Sequence, residues 1–244
     1  MNVLLLGGTA EARQLAEVLT GRGIAVTSSL AGDVADLRLP PGEVRVGGFG
    51  GALGLAGYLR RADITAVVNA THPFAAQISA NAAEACACEG IPLLRLLRPG
   101  WSAHADAASW HWVGTLDEAR SAAQRLGSRV FLTTGRQTLS VFAGWTDRYT
   151  LVRVVDPPAF EVPATWEVLR ARGPFSVATE VDLMAGRRID VLVTKDSGGR
   201  LTAAKLEAAA RLGVLVVALR RPEQPRGVPV VESGEAAAAW VLGH

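Results

Sequence analysis

The sequence predicts an α/β protein of two Rossmann-like, doubly wound parallel-sheet domains in tandem, with a cleft between them. Three observations predict it. Short aliphatic runs that do not alternate with polar residues recur along the chain, each followed by a helix-forming segment. That is the pattern of strands buried on both faces of a parallel sheet. The runs end in glycine and small hydroxyl residues, as at Gly7-Gly8-Thr9. The pattern is interrupted near the middle by residues 98–112, which hold three of the six tryptophans and two of the four histidines. The predicted divisions are a first domain at 1–98, an aromatic linker at 99–112 and a second domain at 113–244.

Val3–Leu6 reads as the first strand. Ala10–Thr20 follows as a helix with Thr9 as its cap and Gly21 or Gly23 as its stop. Ile24–Ser28 is the second strand and Val44–Gly47 a short third one. Behind Gly47-Gly-Phe-Gly-Gly51 a helix runs to about Arg61. Ala66–Asn69 is a strand. The next helix is expected to start near Pro73, which suits a first helical position, with Thr71 or His72 as cap; Gly90 stops it. Pro92–Leu96 is a strand. In the second half the predicted order is helix Leu116–Leu126, strand Arg129–Leu132, a short helix over Leu139–Phe142 and strand Tyr149–Val155. A strand at Phe175–Ala178, ending at Thr179, is followed by a helix and then strand Ile189–Val193. Helix Thr202–Leu212, strands Val214–Leu219 and Pro229–Val231, and a helix to about Leu242 complete the chain.

Composition excludes several classes. With 49% hydrophobic and 20% charged residues, the 244-residue chain supports a large core. A net charge of +2 gives no bulk electrostatic case for nucleic acid or an anionic membrane. Cys86 and Cys88 stand two apart in a predicted helix, where side chains diverge, so small buried residues are expected instead of a disulfide or a metal pair. No metal site is expected. With no signal-like start and no apolar run of membrane-spanning length, a cytoplasmic protein is expected, and a monomer is compatible with the sequence.

Ligands of open α/β sheets bind at the carboxyl ends of the strands. Those ends are Gly7-Gly8-Thr9, Ser28-Ser29, Asn69-Ala-Thr71-His72, Thr133-Thr134-Gly135-Arg136, Thr179-Glu180 and Thr194-Lys195-Asp196-Ser197-Gly198. The first is either an ordinary tight turn or a phosphate loop at a helix N-terminus, since the spacing G-x-G-x-x-G is absent. The second strand ends in hydroxyls without an acid, which favours NADP(H) over NAD(H) for a bound dinucleotide. His72 is a donor to a ligand, an acid or a helix cap. Only two of the 25 basic side chains are lysines, Lys195 and Lys205, both in one segment. Where arginine serves nearly everywhere, that clustering points to a role for a compact ammonium. Lys195 either meets a phosphate or carboxylate, or pairs with Asp196.

The blocks Gly-Gly-Thr-x-Glu-Ala-Arg at 7–13, Ala-Thr-His-Pro-Phe-Ala at 70–75, Thr-Gly-Arg at 134–136 and Thr-Lys-Asp-Ser-Gly at 194–198 together resemble the precorrin-6A reductase family of cobalamin biosynthesis. The resemblance spans essentially the whole chain. It implies NADPH-dependent reduction of one double bond of a tetrapyrrole macrocycle to give precorrin-6B; the cobalt-loaded substrate of the anaerobic branch is the near alternative. A nucleotide-binding regulatory protein without turnover is the alternative from another class. Asn69 stands where the family pattern has aspartate. The implied cofactor residues are Gly8, Thr9, Ala10, Arg13, Ser28, Ser29, Thr71, Thr134, Gly135 and Arg136. The implied substrate residues are His72, Phe74, Arg153, Lys195, Asp196, Ser197, Gly198 and Arg200, with His72 and Lys195 as the catalytic candidates.

Overall fold

The computed structural model describes residues 1–30, 39–199 and 202–244; Arg200, a predicted substrate residue, and Asp33 lie outside them. In chain order the elements are β1 (Asn2–Leu6), α1 (Ala10–Gly21), β2 (Ala25–Leu30), β3 (Glu43–Val46), α2 (Gly51–Arg61), β4 (Ala66–Asn69), α3 (Ala76–Glu89) and β5 (Leu93–Leu96). There follow β6 (His111–Val113), α4 (Leu116–Leu126), β7 (Arg129–Leu132), β8 (Tyr149–Val154), β9 (Trp166–Arg170), α5 (Val177–Gly186), β10 (Val191–Lys195), α6 (Ala204–Leu212), β11 (Leu215–Leu219), β12 (Val230–Val231) and α7 (Gly234–Leu242). Two short 3₁₀ segments, Ala107–Ser109 and Arg136–Phe142, complete the described structure.

The chain forms two compact units, Met1–Pro99 with Pro222–His244, and Gly100–Arg221. Each is a six-stranded, all-parallel sheet. The orders are β12-β5-β4-β1-β2-β3 and β6-β11-β10-β7-β8-β9. Each winds outward in both directions from its first long strand, β1 or β7, so the predicted fold class holds. The sixth strand of each sheet comes from outside the run that builds the other five. β12 pairs with β5 (Val230 beside Arg95), and β6 pairs with β11 (Val217 beside His111).

This wiring corrects the sequence-based divisions. Residues 222–244 belong with the first unit, because α7 buries Ala237, Ala238 and Val241 in the cluster formed by Val3, Leu5, Leu15 and Leu94. The predicted aromatic linker belongs to the second unit. Trp101 and Trp110 pack with Phe131, Leu192 and Leu206, and β6 runs through its last residues. Packing against a core accounts for these two tryptophans.

Local chemistry explains most element boundaries. Thr9 caps α1 in extended conformation, its hydroxyl accepting from Ala12 N. Ala12, Leu15, Ala16 and Leu19 recur at helical spacing and are all buried. Each fully buried leucine contributes about 1.5–3 kcal/mol by removal from water. On the opposite sheet face, Leu4, Leu6 and Val67 meet Leu55 and Leu59 of α2 and Ala82 of α3. Of the two cysteines, Cys86 is buried and its thiol is pushed up to about 12 by desolvation, whereas Cys88 is exposed.

Two elements differ from expectation. Phe175–Ala178 is not a strand. Ser176 caps α5 instead, accepting from Thr179 N, so Thr179 and Glu180 lie in a helix and not at a strand end. Four residues cannot fix a period, and the strand of this region is β9, whose Trp-Glu-Val-Leu-Arg was not singled out. α3 begins at Ala76, with no side-chain cap, so Thr71, His72 and Pro73 precede it. Ala75 N donates to His72 O (2.8 Å), closing a turn before the helix. No helix among the described residues is long and apolar enough to cross a membrane.

Candidate functional site

In the first unit the site is built on the turn after β1. Gly7 N donates to Ser29 O (2.9 Å), which ties the turn to β2. Gly8 has φ +99°, and no atom lies within 4 Å of where a Cβ would stand. Only glycine adopts that conformation without strain. Thr9 donates to Ala70 O (2.8 Å) while accepting from Ala12 N (3.1 Å), joining the ends of β1 and β4. Ala10 opens α1, so the free N–H groups and positive end of the helix face the turn.

A concavity of about 370 Å³, open to solvent, lies against this turn and is lined by Gly7, Gly8, Thr9, Arg13, Ser28 and Leu30, among others. Two buried polar atoms in its lining have no hydrogen-bond partner among the described residues: Arg13 Nε and Ser28 Oγ. Unsatisfied buried polar groups are rare and costly. A cationic donor and a hydroxyl beside a helix N-terminus match a phosphate and a ribose. The residues therefore fit a nucleotide.

Ser29 points to the other face of β2, as the period of two requires. Its hydroxyl accepts from Arg45 NH1 (2.9 Å), so it does not join Ser28 at the concavity. Arg45 also donates to Gly47 O and Gly48 O. No sequence argument singled out Arg45; its place at the end of a strand before a glycine-rich loop was the available signal.

The turn after β4 is held from below. Asn69 is buried and donates to Ser79 Oγ (2.9 Å), while its Oδ1 accepts from Thr71 N, Thr71 Oγ1 and Arg95 NH1. Arg95, buried in β5, donates a second time to Thr71 O (3.0 Å). Asn69 thus acts as a scaffold for the turn, and Thr71 is part of that scaffold. His72 Nδ1 accepts from Phe74 N (3.2 Å), with the two rings 5.9 Å apart. An accepting Nδ1 leaves the proton of a neutral imidazole on Nε2. His72 therefore organises its own turn and is not a helix cap.

In the second unit the turn after β7 has Gly135 at φ +88° but leads into the 3₁₀ segment instead of an α-helix. Thr134 is buried and accepts from Thr138 Oγ1 (2.9 Å); Arg136 is exposed. At the end of β10, Lys195 is half-buried, and desolvation lowers its pKa. Ser197 N donates to Lys195 O (2.7 Å), curling the chain toward Gly198, which has φ +62°.

Two predicted substrate residues are engaged internally. Asp196 is buried, and its Oδ1 accepts from Trp101 N (2.7 Å) while Oδ2 lies 3.4 Å from Arg221 Nε. It anchors the start of the unit and is not directed at a ligand. Arg153 is buried in β8, ion-paired with Glu180 and stacked over Phe175 (3.9 Å). Neither is free to bind a macrocycle. Lys205, one of the two lysines, is fully buried; its Nζ donates to Thr202 O (2.9 Å) beneath the Trp101 ring (4.9 Å). Burial, reinforced by Arg153 and opposed by Glu180, brings its pKa down to about 7.

A family model described as precorrin-6x reductase CbiJ/CobK matches residues 2–242. The chain belongs to this family. Precorrin-6A reductase of Rhodococcus erythropolis is 50% identical over 240 residues, covering 98% of this chain and 96% of that one. The Mycobacterium tuberculosis protein of the same name (strain H37Rv) is 48% identical, with 99% and 97% covered. Cobalt-precorrin-6A reductase of Salmonella typhimurium is 30% identical, covering 91% and 88%. Among solved structures, CobK precorrin-6A reductase superposes with a TM-score of 0.90 at 38% identity, covering 100% and 97%.

Proposed function

We propose that the chain is an oxidoreductase that uses NADPH to reduce one carbon–carbon double bond of the precorrin-6A macrocycle, giving precorrin-6B in cobalamin biosynthesis. The observation that carries the cofactor half of this reading is the pair of buried atoms, Arg13 Nε and Ser28 Oγ, that have no partner among the described residues and lie beside the open turn at Gly8. The metal-free macrocycle is preferred to its cobalt form because relatives named for the former are 48–50% identical, against 30% for the Salmonella protein named for the latter.

When bound, the nicotinamide supplies the hydride. The chain's own residues bind, orient and protonate. The N–H groups opening α1, with Arg13, hold a diphosphate, and Ser28 meets the adjoining ribose. Arg136 and Lys195 offer cations to the acetate and propionate groups of the macrocycle, with Ser197 and Gly198 shaping the loop. Lys195, whose lowered pKa makes it a readier acid, is the proton source, and His72 offers its Nε2–H as a hydrogen-bond donor to the macrocycle. Phe74 stacks beside His72 and gives the macrocycle an apolar contact. Positioning supplies about 7–11 kcal/mol of such barriers. General acid catalysis contributes about 10²–10⁴-fold.

The test has two parts. Nicotinamide fluorescence should show NADPH binding more tightly than NADH to the substrate-free protein. Added precorrin-6A should then consume NADPH stoichiometrically. If NADPH persists with both the metal-free and the cobalt macrocycle present, the activity assignment is wrong.

A further inference from the structure

β3 lies at the edge of the first sheet, and its register sets Arg45 beside Ser29 at the carboxyl end of β2. The guanidinium is fixed on two sides. NH1 donates to Ser29 Oγ and Gly47 O, both at 2.9 Å, and NH2 to Gly48 O at 3.1 Å. Its flat face rests on Phe49, 3.8 Å from the ring centre, with Tyr58 at 5.2 Å. Gly47 N in turn donates to Leu30 O (2.8 Å), and Leu30 lines the concavity that holds Ser28. Arg45 is thus joined to the rim of that concavity through a single residue.

Every acceptor that Arg45 uses is neutral. The nearby acid on the same strand face, Glu43, is held by Thr27 Oγ1 (3.2 Å), and Arg45 forms no ion pair among the described residues. A guanidinium carries five N–H donors. Two serve the loop and one Ser29, and two have no acceptor among the described residues. A planar cation held rigidly, with donors to spare and no counter-ion among the described residues, is suited to recognising a phosphate group.

The geometry points to Arg45 as the residue that distinguishes a 2′-phosphorylated nicotinamide nucleotide from its unphosphorylated counterpart. This rests on the cofactor reading above, in which Ser28 marks the ribose. The 2′-phosphate then lies at the end of β2, where Arg45 supplies charge and Arg13 remains with the diphosphate.

The probes are 2′,5′-ADP and 5′-AMP, titrated calorimetrically into the full chain. The unmodified protein should bind 2′,5′-ADP about 10–100-fold more tightly, the worth of a charge-assisted contact. In Arg45→Met and Arg45→Gln the affinity for 2′,5′-ADP should fall to that for 5′-AMP, with 5′-AMP unchanged. Arg13→Met should weaken both probes and keep their ratio. If both Arg45 variants keep the preference, or if Arg13→Met alone abolishes it, the inference is overturned while the NADPH reading stands. If the unmodified protein shows no preference, the NADPH reading and this inference fall together. Should Arg45→Met not fold, Arg45→Gln, which keeps a donor for Gly47 O, decides alone.

Discussion

The two units wind their sheets in the same order from their first long strands, yet the turns leaving those strands are built differently. After β1, Gly8 opens the chain into a helix of 12 residues, and polar atoms of Arg13 and Ser28 are buried without partners among the described residues. After β7, Gly135 has a similar positive φ, but the chain enters a 3₁₀ segment of seven residues, and the hydroxyl of Thr134 is satisfied by Thr138. A 3₁₀ turn offers no extended row of aligned peptides, so it presents a much weaker positive end. A shared topology therefore does not imply a shared ligand. The first unit presents a helix N-terminus at its first turn; the second invests its charge in internal pairs such as Arg153–Glu180 and Asp196–Arg221.

The sharpest test of this division is Lys195→Ala. Loss of a proton donor or carboxylate anchor at the end of β10 should lower kcat/KM for precorrin-6A by about 10²–10⁴-fold. NADPH affinity and the thermal midpoint should stay unchanged. A matching loss of NADPH affinity would erase the proposed split between the units.

The next test compares the two turns directly. Gly8→Ala and Gly135→Ala each force a side chain to positive φ, at about 1–3 kcal/mol of strain. Only Gly8→Ala should also weaken NADPH, by about tenfold or more, as read by fluorescence titration. Equal losses of affinity in the two variants would show that both turns grip the cofactor.

Lys205→Met probes the internal charges of the second unit. Lys205 titrates near 7 in the folded protein and near its ordinary 10.5 when unfolded. Between those values the unfolded chain binds more protons, so stability rises with pH. The slope from this group approaches about 1.4 kcal/mol per pH unit. Below pH 7 both states are protonated and the slope disappears. In urea unfolding across pH 7–10 the variant should lack this component; an unchanged pH dependence would mean that Lys205 is not buried as a titrating group.

The smallest effect has the most informative sign. Ser28→Ala removes a buried hydroxyl without a partner, so the ligand-free protein should gain about 1 kcal/mol. The same variant should bind NADPH several-fold more weakly. Stabilisation with unchanged affinity would remove Ser28 from the ribose site.

Much of this organisation was legible before any coordinates. The bounds read for helix Leu116–Leu126 and strand Arg129–Leu132 are those of α4 and β7. Thr9, Arg13 and Ser28 could be named because a turn between a buried strand and a helix has restricted chemistry. Longer-range facts were illegible for physical reasons. Asp196 and Arg153 looked like ligand residues because their partners, Trp101 N and Glu180, are 95 and 27 residues distant in sequence. Of the two sixth strands, Pro229–Val231 was legible as a strand but not the sheet it joins, whereas β6, three residues within the aromatic stretch, was too short for a pattern. Arg45 was passed over because its importance lies in a cross-strand register with Ser29.

The return of the chain to the first sheet has a consequence for synthesis. The β1–β5 layer leaves the ribosome early but lacks β12 and α7, so the apolar surface that Ala237 and Val241 will cover stays open. At roughly 5–20 residues per second, translating 100–221 takes roughly 6–25 s, and at its end the second unit has all its strands while the first does not. The last stretch made is the one that closes the first. A nascent chain halted before Pro222 would carry a finished half and an unfinished one, in the reverse of the order in which they were begun.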